Sequence, residues 1–139
     1  MRHHRLLVVL LAAVAGSACG SDVSTTPTPV ALAGTWTLTQ VNGAPLPFVR
    51  QPANPKIELT AERIVVDAAA TFTQTATLLV TPTGGTAATQ AAVDSGTWTL
   101  SGTTATFRFA SDNSVGVGTV SGTQFTVLNG GNTFVFTRQ

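Results

Sequence analysis

From residue 34 to the C-terminus, large apolar side chains alternate with threonine and other polar residues at a period of two. Trp36 and Leu38 share one face of 34–41, with Thr35, Thr37 and Thr39 on the other. Trp98 and Leu100 repeat this in 96–101, Phe107 and Phe109 flank Arg108, Phe125 and Val127 continue the theme, and Phe134, Phe136 and Arg138 share the last face. Such alternation, rich in β-branched and aromatic residues, predicts half-buried strands. The predicted strands are 34–41, 56–60, 62–67, 71–81, 95–101, 103–109, 114–120, 123–128 and 132–138. Turn signals separate them, among them Asn42-Gly43, Ser101-Gly102, Asp112-Asn113, Ser121-Gly122 and Asn129-Gly130-Gly131. The apolar-small stretch 85–93 is the one place where the pattern admits a helical turn. The last five strands are separated by one to four residues, which implies hairpins. The expected fold is therefore all-β: an antiparallel up-and-down meander of eight or nine short strands that buries its apolar face by closing into a barrel. A two-sheet β-sandwich is the competing architecture.

The first twenty residues follow a different pattern. Arg2, His3, His4 and Arg5 precede an almost unbroken apolar run, Leu6 to Val14, and then Gly16-Ser17-Ala18-Cys19-Gly20. A positive start, a short apolar run and small residues read as an export signal, too short for a membrane-spanning helix of about 20 residues. Cysteine directly after Ala18 resembles the lipobox of bacterial lipoproteins. The resemblance implies a signal peptide over 1–18 and acylation of Cys19 with chains such as palmitate. It also implies attachment to the membrane of the cell envelope, and Gly20, where aspartate would mark inner-membrane retention, favours the outer membrane. Residues 19–33 then form a Thr/Pro-rich tether, polar and extended. Its fourteen residues after the cysteine reach up to about 45 Å.

Removal of the signal leaves Arg50, Lys56, Arg63, Arg108 and Arg138 against six acids, a formal charge of −1. The basic residues are scattered, which gives no footprint for nucleic acid. Both histidines lie in the signal and the one cysteine at the anchor. Ser-His-Asp and Cys-His catalysis are therefore excluded from the domain, along with nearly all zinc-site chemistry. No phosphate-binding or dinucleotide motif occurs, and no cofactor is implied. The domain, 34–139, reads as a non-enzymatic monomer.

Gly34-Thr35-Trp36 opening the first strand and Arg138 in the last are similar to the lipocalin pattern. The stretches 34–47 and 95–102 also look like small bacterial lipoproteins with a lipocalin-like domain. That resemblance implies a barrel whose arginine packs across the tryptophan at the closed end, a contact of about 0.5–2 kcal/mol. It implies a lid at the first connection and carriage of a small hydrophobic molecule. Trp36 and Arg138 are thus assigned to barrel closure and Trp98 to the core. Gly34-Thr35-Trp36-Thr37-Leu38 recurs at 96–100, which we read as two strands meeting the same needs rather than as duplication.

The candidate site is the connection 42–55, long for a loop without structure and apolar at Leu46, Phe48 and Val49, with Arg50 beside them. A filled barrel that contacts envelope protein or glycan through this loop is the alternative to ligand carriage. The carboxylates Glu58, Glu62, Asp67, Asp94 and Asp112 are dispersed and read as solvated, as do Arg63 and Arg108. Ala68, Ala70, Ala76 and Ala105 share the inward parity and would leave room inside.

Overall fold

The computed structural model describes residues 31–139. The signal peptide, Cys19 and the tether up to residue 30 lie outside the described residues. Ten strands run in chain order: β1 (Gly34–Val41), β2 (Ala44–Pro45), β3 (Phe48–Gln51), β4 (Lys56–Val66), β5 (Thr71–Thr81), β6 (Ala88–Ser101), β7 (Thr104–Phe109), β8 (Val115–Ser121), β9 (Gln124–Asn129) and β10 (Asn132–Arg138). From β3 through β10 each strand pairs antiparallel with the next, and β10 pairs with β1. Gly34–Thr37 of β1 also pairs with Arg63–Val66 of β4, so eight strands close into a barrel with two short strands outside the ring. The barrel holds, and the sandwich does not.

Closure follows from alternation: each inward residue hides one more apolar side chain, and a closed sheet exposes no unpaired edge. Trp36, Leu38, Leu59, Ile64, Val66, Phe72, Phe107, Val120, Phe125, Phe134 and Phe136 form a single buried core. Within it Phe72 meets Phe107, and the half-buried Phe109, edge to face at ring-centre separations of 5.0 and 5.2 Å. Such pairs add about 0.5–1.5 kcal/mol each beyond burial. Gly118 makes room for this packing, because a Cβ there would lie 2.4 Å from the Phe125 ring.

The strand expectations need several corrections. The two predicted strands 56–60 and 62–67 are one, β4, in which a bulge at Thr60 shifts the register between Leu59 and Ala61. The bulge lets Leu59 and Ile64, an odd number of residues apart, both point inward. The stretch 85–93 contains no helical turn. Residues 88–93 are already β6, held by Val80 to Thr75 of β5. The connection 42–55 is not structureless, since it contains β2 and β3. Ala68 and Ala70 are exposed in the β4–β5 turn, where Ala70 takes a φ of 64°; Ala76 and Ala105 are buried as expected. Residues 31–33, expected in the tether, pack on the domain: Leu32 is 1% exposed, and the Ala31 and Ala33 carbonyls accept from Arg138.

Pairing between β6 and β7 begins at Gly96, so Ala88–Ser95 has a strand partner only in β5. β4 and β3 extend alongside, and the four strands stand as a wall beyond the rim. Register puts Phe48, Leu59, Leu78 and Gln90 in one row across that wall, and Ile57, Val80 and Ala88 in the next.

Candidate functional site

One end of the barrel is plugged. Trp36 is 0% exposed, and its indole Nε1 donates to the Leu32 carbonyl at 2.8 Å. The Arg138 guanidinium carbon lies 5.5 Å from the centre of the Trp36 ring. Nη1 donates to the Ala31 carbonyl at 3.0 Å, and Nη2 to that of Ala33. Residues 31–33 are thereby strapped across the floor. Gly34 turns the strap into β1 with a φ of 144°, and a Cβ there would lie 3.1 Å from Arg138 Nε. Trp98, expected in the core, is only half-buried. It packs against the core and donates from Nε1 to the Asp67 carbonyl at 2.9 Å, pinning the β4–β5 turn.

The other end opens into a cavity of about 70 Å³. Phe72, Phe107, Phe109, Phe125, Phe134 and Phe136 line it with Ile64 and Val127. Four polar residues line it: Glu62 and Gln74 from adjacent strands, Arg50 from β3 and Asn129 from the end of β9.

A match to the family model described as Lipocalin-like domain covers residues 32–136. The chain belongs to the lipocalin-like domain family. Comparison with curated proteins and with solved structures gives no match. The lipocalin-like family is typically a non-enzymatic binding fold.

Within this lipocalin-like barrel the lid candidates separate. Leu46 and Phe48 pack against the core, Phe48 meeting Phe134 edge-on at 6.2 Å. Val49 is 43% exposed and does not line the cavity, because alternation along β3 turns it away from Phe48. Arg50 sits at the register shift between Val49 and Gln51 and lines the cavity while remaining exposed. Phe48, Val49 and Arg50 thus belong to an edge strand hydrogen-bonded to β4, with Leu46 in the short link before it, rather than to a free flap.

Glu62 is the residue that sequence reasoning placed in solvent and the structure places inside. It is 5% exposed, and its Oε1 accepts from Gln74 Nε2. Burial pushes its carboxyl above the ordinary carboxylate range, while the Gln74 hydrogen bond and the Arg50 charge pull it back. The signal was present: Glu62 shares parity with Ile64 and Val66, and Gln74 stands between Phe72 and Ala76. A polar residue in phase with apolar neighbours is an inward polar residue. By contrast Glu58 lies on the opposite face from Leu59 and pairs with Lys56 at 2.9 Å, and Arg63 and Arg108 are exposed as expected.

Proposed function

We propose that the chain is a lipid-anchored protein of the bacterial envelope whose barrel grips one end of a small hydrophobic molecule. The carrying observation is the cavity itself: eight apolar side chains around an opening that also admits four polar ones. Pockets with an apolar lining and a few convergent polar groups are the usual form of a ligand site. At about 70 Å³ the cavity is well below the roughly 300 Å³ at which pockets engulf a drug-sized molecule. The ligand is therefore held by its end, and its body lies along the apolar wall of Phe48, Ile57, Leu78 and Val80 above the rim. The anchor reading rests on residues 1–20, and Cys19→Ser tests it. The variant should stay unprocessed or appear soluble in the periplasm, and unchanged membrane fractionation would reject the anchor.

The binding reading is tested by expressing the chain without its first 19 residues and examining organic extracts of the purified protein by mass spectrometry. One apolar molecule per chain is the expected result. A folded, empty protein that also takes up no apolar fluorescent probe would overturn the reading. It would favour the alternative, a filled barrel whose 42–55 segment contacts envelope protein or glycan.

A further inference from the structure

We infer that the group gripped in the cavity is an amine, bound as its ammonium ion against the Glu62 carboxylate and surrounded by phenylalanine rings. This rests on the ligand-binding reading and specifies its chemistry. Glu62 lines the cavity from inside the barrel wall, one of its oxygens occupied by Gln74. The second oxygen is available to a ligand, and so is the Gln74 amide oxygen, since that side chain donates through its nitrogen. Both groups that bound the polar side of the deep cavity thus offer acceptors.

Two further features choose a cation over a neutral or anionic head. The remaining walls are largely aromatic, and ring faces attract ammonium groups, most strongly where water is excluded. A buried carboxylate without a cation in contact with it is costly; the Arg50 charge acts on Glu62 across the cavity, but no ion pair joins the two among the described residues. Arg50 stands at the exposed rim, where solvent screens it, while Glu62 sits deep. A ligand that brings its own positive charge relieves the buried carboxylate, an alcohol leaves it as it was, and a carboxylate ligand opposes it. The cavity volume suits a head group followed by a narrow chain, which also describes a primary alkylamine.

Calorimetry on the chain lacking residues 1–19 decides the matter with hexylamine, 1-hexanol and hexanoate at neutral pH. Hexylamine should bind about tenfold or more tighter than 1-hexanol, as expected for a charge-assisted contact, with hexanoate weakest. Glu62→Gln keeps the shape of the side chain and should erase the amine preference while 1-hexanol binding persists, which also reports an intact barrel. Equal binding of amine and alcohol, a preference for hexanoate, or an amine preference that survives Glu62→Gln would overturn the assignment and leave apolar binding standing. If none of the three binds, the ligand-binding reading falls and the amine assignment falls with it.

Discussion

At the plugged end of the barrel the polar atoms that meet the core have partners: Trp36 Nε1 on Leu32, the Arg138 guanidinium on Ala31 and Ala33, Trp98 Nε1 on Asp67. At the open end a carboxyl sits among phenylalanines with one hydrogen bond, from Gln74, and a cavity in front of it. The same sheet supplies both ends, with the same alternation. The floor uses its polar groups to tie the chain to itself, whereas the mouth holds one buried carboxyl, Glu62, whose desolvation is offset only by the Gln74 hydrogen bond and the more distant Arg50 charge. Sites kept ready for a ligand commonly cost stability in this way. Substitutions at the floor should therefore weaken the fold, and neutralising the mouth should strengthen it.

The largest effect belongs to the floor. Trp36→Ala removes a fully buried indole that also meets Phe125 edge-on at 6.0 Å, and should cost about 3–5 kcal/mol. Trp98→Ala removes the same group from the second copy of the pentapeptide, where it is half-buried, and should cost only about 1–2 kcal/mol. Urea denaturation of the two variants measures both. Equal losses would mean that Trp98 contributes as much to the core as Trp36 does. The glycines of the two copies differ as well. Gly34 is required by its φ and by Arg138, whereas a Cβ on Gly96 would lie 1.9 Å from the Arg108 carbonyl oxygen. Identical residues thus serve a strap at one site and a close strand approach at the other, which agrees with two strands meeting separate needs.

The barrel was legible because its cause is periodic. Strand β10, for example, announces itself through Phe134, Phe136 and Arg138, and its pairing with β1 follows from closing the ring. Phase changes were harder to see. The bulge at Thr60 appeared only as a break between two predicted strands, yet that break sets which of Glu58 and Glu62 points inward. Glu62 has the charge of a surface residue but the parity of Ile64 and Val66, and the parity decides its place. Residues 85–93 are rich in alanine and carry little periodic signal. Their strand character comes from pairing with β5, a tertiary effect that overrides local preference.

Arg138→Ala is the next test of the floor. It removes the cation from the Trp36 ring and both bonds to the strap, and should cost about 1–2 kcal/mol. Hydrogen exchange at residues 31–34 should rise at the same time. A stability loss without faster exchange there would detach the strap from the arginine and weaken the contrast between the two ends.

The smallest effect has the opposite sign. Below a pH of about 4.5, the ordinary value for a glutamate, the Glu62 carboxyl is protonated in both the folded and the unfolded chain. Because burial raises the folded value, the unfolded chain loses its proton first as the pH climbs, and folding stability falls across that interval. The loss levels off once the folded carboxyl has also ionised. Glu62→Gln lacks this step, so it should be more stable than the parent at neutral pH and lose that advantage as the pH falls towards about 4.5. Thermal melts of the two proteins across this range isolate Glu62, since every other carboxylate is common to both. Parallel profiles would mean that the mouth of the barrel is as well satisfied as its floor.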